Sequence, residues 1–472
     1  MSLSKLDLQL FKDDYHEIVD KYRASTLSFD ELNTWKKNKL QNVLKHVKKG
    51  SPFYAEKLKH INPDEINQNN LSKLPFTTKD DLRDEMFDIL SAPLDQAAFY
   101  YETTGTTGAA TPCPRDKKES YASNLQLQFA YEDIIKNYFP ESKKPVLGIM
   151  GPTEVHSFSD TLESIAFELD ICSAKIWPGS PVIGFDKCIN LIKDLGIEII
   201  ATSPGQVMAL AKEIKKRGLD PKKDFDVKAF MLSGELCTPA LAENLASLWD
   251  AKIFNSLYGS QEAFVIASST PNNKLRPHLP NYIFEIVDPA TGLGLGDSGI
   301  GELVVTSLID GVKPLIRYRT GDIVHLHDNS SSNLYERYEL EVVGRVRDAV
   351  NLNGSNFTAA EIEQVIMESV HNCFGYQIII TNSSGKDTLI VKYEIHNLPA
   401  EERKALLKAI SERVYSVLGC ECSLMIIDDL SEHVNLGGWI KWKAARLVDT
   451  RSTVTSDEGE TTTQKLLERL NS

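Results

Sequence analysis

Nowhere in the 472 residues does an apolar run approach the roughly 20 residues that a membrane-spanning helix needs. The opening Met-Ser-Leu-Ser-Lys-Leu-Asp lacks the apolar core of a secretory signal, so a cytoplasmic protein outside the membrane is expected. Positive charge is scarce relative to negative: 52 Lys and Arg stand against 66 Asp and Glu, for a net charge of −14. That balance argues against a nucleic-acid partner, although a local electropositive pocket for one nucleotide remains compatible with it. The seven cysteines, at 113, 172, 188, 237, 373, 420 and 422, include no CxxC pair. Reduced thiols are expected, and no structural metal is expected from the ten histidines. The Gly-Lys-Ser/Thr that closes a kinase or GTPase phosphate loop is missing as well.

What is present is a chain too long for one ordinary core, with the composition of a globular protein. The stretch Asp30–Lys48 carries Leu32, Trp35, Leu40, Val43, Leu44 and Val47 at helical spacing. A second helix is predicted from Lys118 to about Asn137. From Pro145 to Leu257, short apolar strands alternate with amphipathic helices, the pattern of an α/β layer with parallel strands. Strands are read at 145–150, 174–177, 198–202, 228–233 and 252–257. Between Tyr282 and Asp328, β-rich runs punctuated by Gly, Asp and Pro predict an antiparallel sheet or small barrel. After Gly344 a compact α+β module is predicted, and a polar tail follows from Ser452. The expected domains are 1–346 (large, with α/β layers and a barrel-like part), 347–451 (small α+β) and 452–472 (tail).

Residues Thr103 to Gly108 pack four threonines and two glycines into six positions. Glycines allow close backbone approach, successive N–H groups can form an anion-binding concavity, and hydroxyls add donors. A phosphate-gripping loop is one reading; an ordinary polar surface loop is the other. Further motifs follow in order: Leu257-Tyr-Gly-Ser-Gln-Glu262, Tyr318-Arg-Thr-Gly-Asp322, Gly344-Arg-Val-Arg-Asp-Ala-Val-Asn-Leu-Asn-Gly354 with Glu361-Ile-Glu363, and Lys443-Ala-Ala-Arg446. Ser233-Gly-Glu235 and Phe284-Glu-Ile-Val-Asp-Pro289 lie between them.

Together these motifs resemble the acyl-adenylate-forming (AMP-binding) superfamily, and within it the phenylacetate–CoA ligase-like family, over roughly residues 75 to 451. The resemblance implies an AMP-forming carboxylate ligase. A carboxylic acid plus ATP gives acyl-AMP and pyrophosphate, and coenzyme A then takes the acyl group. The alternative is an enzyme that loads a carrier-protein thiol or an amine. It further implies that Thr103, Thr104, Gly105, Thr106, Thr107 and Gly108 hold phosphates, and that Glu262 is a Mg²⁺ ligand. Ser233, Gly234, Glu235, Tyr258, Gly259 and Gln261 would line the nucleotide, Asp322 and Arg345 the ribose. Lys443 would be the catalytic cation, carried by a mobile terminal domain hinged at Asp348. His156, Phe158, Ala263 and Phe264 would form the acyl pocket, suited to an aromatic or compact acid. A homodimer is considered for the assembly. The sequence departs from the family pattern at four places: Gly-Ala-Ala-Thr-Pro after the loop, Gln261 for Thr or Ser, Asn351 for Lys, and Trp442 for Gly.

Overall fold

The computed structural model describes residues 5–103, 110–140, 142–383, 385–430, 446–451 and 456–471. Two compact units are built from discontinuous stretches. The first comprises 1–138, 153–169 and 256–342, and the second 139–152, 170–255 and 343–472.

In the first unit, the helix Phe29–Gly50 starts on a capping box, in which Ser28 and Glu31 satisfy each other's backbone N–H groups. All six apolar residues read from its spacing are buried. Buried polar groups on the neighbouring helices find specific partners. The Tyr15 hydroxyl donates to the Ala122 carbonyl (3.0 Å) and Trp35 Nε1 donates to Pro280 O (2.9 Å), so neither is left unpaired in the core.

The β-rich region forms one sheet of eight strands. Their order is Gly294–Gly296, Tyr282–Val287, Gly299–Ser307, Tyr318–Asp328, Tyr338–Arg345, Leu275–Pro277, Phe264–Ser269, Leu257–Ser260. Gly294–Gly296 and Leu257–Ser260 are its two edges, so among the described residues the sheet stays open and the expected barrel does not close. The Gly-Leu-Gly edge strand is exposed throughout.

The second unit contains a five-stranded parallel sheet in the order Ser173–Lys175, Leu147–Ile149, Ile199–Thr202, Ala229–Leu232, Lys252–Asn255. Its central strands Ile199–Thr202 and Ala229–Leu232 are buried along their whole length, the signature of a sheet covered on both faces. The strand read at 252–257 ends at Asn255, because the Ser256 carbonyl accepts from Ser269 N and Leu257 opens an antiparallel hairpin. A four-stranded mixed sheet follows, in the order Glu421–Ile427, Lys386–Ile395, Cys373–Ser383, Leu447–Asp449, with helices Ala359–Met367 and Ala400–Leu418. The predicted module after Gly344 is thus present as α+β structure. The polar tail carries a helix, Ser456–Asn471. All seven cysteines are free thiols, and among the described residues no helix is long and apolar enough to cross a membrane.

Candidate active site

The hairpin Leu257–Ser260/Phe264–Ser269 brings together six of the predicted site residues. Gly259 is required by close approach: a Cβ there would lie 2.1 Å from the Phe264 carbonyl oxygen. Phe264 takes a positive φ of 60° as the strand resumes, and the Ser260 hydroxyl accepts from Ala263 N at 3.0 Å. Gln261, Glu262 and Ala263 form the tip.

Glu262 is 4% exposed, and its Oε1 is paired with Lys79 Nζ at 3.0 Å. Burial alone would raise its pKa, but Lys79 and the buried Lys313 outweigh that and hold the carboxyl below its ordinary range. Lys313, 2% exposed, donates to Pro112 O at 3.0 Å and lies 3.3 Å from Cys113 Sγ. Neither lysine was expected at the site. Lys313 was legible in principle as the one cation inside the largely apolar run Leu308–Ile316, and Lys79 as the first residue after the cap Thr78 of the helix Lys79–Glu85.

Tyr258 and Asp322 meet directly, the Tyr258 hydroxyl donating to Asp322 Oδ2 at 2.7 Å. Burial and the neighbouring carboxylate push the Tyr258 pKa well up, so the phenol stays a donor. Asp322 follows Gly321, whose φ of +74° makes the turn, and its backbone N–H is held by the Thr320 hydroxyl at 3.1 Å. Tyr258 thus contacts the expected ribose acceptor through its hydroxyl.

His156 caps the helix Ser157–Glu168: its Nδ1 accepts from Phe158 N at 3.2 Å. That fixes the proton on Nε2, which lies 3.0 Å from the side-chain amide of Gln261. The Gln261 atom facing His156 is its amide nitrogen Nε2. The contact places the predicted acyl-pocket residues His156 and Phe158 beside the Gln261–Phe264 turn. Phe264 itself is covered by the Arg115 guanidinium, 3.8 Å from the ring centroid, and it borders a cavity of about 20 Å³, room for one water but not for an acid.

Thr103 pairs with Thr111 twice: its N–H donates to Thr111 O (3.1 Å) and its hydroxyl accepts from Thr111 N (3.0 Å). Its side chain therefore ties two backbone segments together. Thr104, Gly105, Thr106, Thr107 and Gly108 lie outside the described residues, as does Lys443.

In the second unit, Ser233, Gly234 and Glu235 follow the carboxyl end of Ala229–Leu232, where parallel α/β sheets present ligand-binding loops. Gly234 has φ +84°. Glu235 Oε2 is committed to Arg446 NH1 at 2.5 Å, and Arg446 Nε reaches Glu363 Oε2 at 3.1 Å. Glu363 also accepts from the Tyr376 hydroxyl (2.6 Å) and the Thr238 hydroxyl (3.1 Å). The motifs Ser233–Glu235, Glu361–Glu363 and Arg446 thus form one buried network, a link that sequence spacing does not reveal. Arg446→Met would leave two buried carboxylates without their cation, and the expected loss is about 3–5 kcal/mol of stability, read from denaturant unfolding. A loss under about 1 kcal/mol would mean that the network is peripheral to the fold. Arg345 ends the strand Tyr338–Arg345, and Asp348 ends the single 3₁₀ turn Val346–Asp348.

Residues 354–451 match the AMP-binding enzyme C-terminal domain. Over 443 residues the chain is 25% identical to phenylacetate-coenzyme A ligase of Aromatoleum evansii, covering 90% of this chain and 96% of that protein. The chain is thus similar over most of its length to phenylacetate-coenzyme A ligases. The phenylacetate-coenzyme A ligase of Escherichia coli K12 is likewise 25% identical, covering 91% of this chain and 97% of its own length. In fold, the chain is similar to 2-hydroxyisobutyryl-CoA ligase in complex with 2-HIB-AMP. The TM-score is 0.75 at 19% identity, covering 94% of this chain and 93% of the other.

No structural metal was expected from the ten histidines, yet His325 and His327 alternate along the strand Tyr318–Asp328 and approach Glu341.

Proposed function

We propose that this AMP-binding protein joins a carboxylic acid to ATP, releasing pyrophosphate and forming an acyl-AMP. It then passes the acyl group to the thiol of coenzyme A. The observation that carries this reading is the hairpin turn, in which a buried anionic Glu262 stands two residues from Gln261's neighbour Ser260 and four from Tyr258, itself joined to Asp322. Asp322 would accept from the ribose hydroxyls, with Tyr258 holding its carboxylate in place. Gln261, held beside His156, would present its side-chain amide to the nucleotide phosphates. Glu262 would hold Mg²⁺, a cation that takes one or two carboxylates together with phosphate oxygens, and its buried, ionised carboxyl suits that role. When bound, the cation would neutralise phosphate charge. Ser233 and Arg345 are assigned to the nucleotide, Asp348 to the hinge, and His156, Phe158, Ala263 and Phe264 to the acid.

In the first step a carboxylate oxygen attacks the α-phosphorus, and the bond to the bridging oxygen of pyrophosphate breaks. The residues contribute position and charge rather than covalent chemistry. The relatives' names supply the acids to try: phenylacetate among aromatic acids and 2-hydroxyisobutyrate among compact ones. Acid-dependent exchange of label between ATP and pyrophosphate, run over such a panel, tests the first half. Adding coenzyme A, or separately a carrier protein, then tests the acceptor. Exchange with no acid in the panel would count against adenylation, whereas exchange without CoA thioester would move the acceptor to the carrier.

Asp322→Ala is expected to raise the ATP KM on the order of ten- to a hundred-fold, since charge-assisted hydrogen bonds are lost. Tyr258→Phe should give a smaller rise through the same carboxylate. An ATP dependence unchanged in both variants would reduce the Tyr258–Asp322 pair to a structural contact.

A further inference from the structure

We propose that His325, His327 and Glu341 form a binding site for one divalent transition cation of the zinc type. The inference stands apart from the adenylation chemistry and needs no part of it. Among the described residues, one ligand atom from each of these three side chains lies within 4.8 Å of the other two. His325 and His327 are two apart on the strand Tyr318–Asp328, so strand alternation puts both imidazoles on one face. Glu341 lies on Tyr338–Arg345, the next strand in the sheet.

One separation in the set suits a shared metal better than a direct hydrogen bond. A tetrahedral set at about 2.0–2.1 Å from its ion puts neighbouring donor atoms about 3.4 Å apart. His327 Nε2 and Glu341 Oε2 stand 3.4 Å apart, too long for a good hydrogen bond. The two imidazole rings sit 3.5 Å centroid to centroid, an arrangement that two protonated rings would oppose.

The fold does not otherwise require these side chains. The intervening Val324 and Leu326 supply the buried apolar face of the strand, while His325 and His327 are only half-buried. Glu339, which shares the face of Glu341, is taken by Lys274 at 2.7 Å and leaves three donors for an ion. Glu341 is exposed, so a water can complete the fourth position. Two imidazoles with one carboxylate select Zn²⁺, Cu²⁺ or Ni²⁺ over Mg²⁺ and Ca²⁺, which prefer all-oxygen sets.

The test uses the full chain, chelator-treated and free of affinity tags, with exposed Cys172 replaced by serine so that its thiol does not count. Zinc chloride is titrated in competition with a chromogenic chelator. One zinc per chain is expected, undisturbed by millimolar Mg²⁺. His327→Gln and His325→Gln should each weaken binding roughly tenfold or more, with Glu341→Gln weakening it less. Melting temperatures in chelator establish that the variants are folded. Should a histidine variant fail to fold, the solvent-exposed Glu341→Gln carries the test by the same titration. Unchanged binding in the variants, a thiolate charge-transfer band on Co²⁺ substitution, or displacement by Mg²⁺ would each overturn the proposal.

Discussion

Alanine in place of Lys443 is expected to slow acyl-AMP formation on the order of 10²–10³-fold, the loss typical when one charge-stabilising donor leaves an active site. Transfer from a supplied acyl-AMP to coenzyme A should change far less. The asymmetry follows from placement. Lys443 lies about a hundred residues beyond Asp348, on the module expected to present it to the α-phosphate in one orientation and withdraw it in another. Asp348→Pro should show the opposite split, because proline fixes φ at a position meant to absorb a backbone change. We expect adenylation to survive and thioester formation to fall. The two half-reactions are measured separately, by pyrophosphate exchange and by thioester yield from acyl-AMP. Equal losses in both assays for both variants would sink the two-orientation reading for this chain.

Glu262→Gln is expected to depress acid-dependent pyrophosphate exchange by a similar two to three orders of magnitude while the protein remains folded. Glutamine keeps the shape but removes the charge that Lys79 and Lys313 stabilise, and an amide is a poor Mg²⁺ ligand. The variant also leaves two lysines facing no carboxylate, so a modest loss of stability should accompany the catalytic loss. Circular dichroism and unfolding separate the two effects. Near-normal exchange in a folded Glu262→Gln protein would remove this residue from the metal role.

Much of this architecture was written in local pattern. The helix Phe29–Gly50 follows from six apolar residues at helical spacing behind a Ser28–Glu31 cap, and the five parallel strands follow from short apolar runs between amphipathic helices. The site was legible where function demands unusual residues, as in Tyr258–Glu262 and Gly321–Asp322. What escaped were pairings set by long-range packing. Lys79 and Glu262 are 183 positions apart in number, and nothing in either neighbourhood announces the other. Glu235 was assigned to the nucleotide and Arg446 only noted in a motif, yet their ion pair depends on how strand ends and the terminal segment come together. The barrel expectation failed for a related reason: strand content is local, but closure depends on which edges meet.

The ion pair of Glu262 with Lys79 has a consequence for the order in which ligands arrive. The half-exposed ammonium of Lys79 serves as a resident counter-ion, so the resting protein is already electrically satisfied at this position. A free divalent ion would have to compete with a tethered cation of high local concentration, and solution magnesium alone should bind poorly. A nucleotide changes the contest, because its phosphates give Lys79 somewhere else to go. Metal and nucleotide should therefore enter as one complex, and magnesium affinity measured without ATP should strengthen in Lys79→Ala.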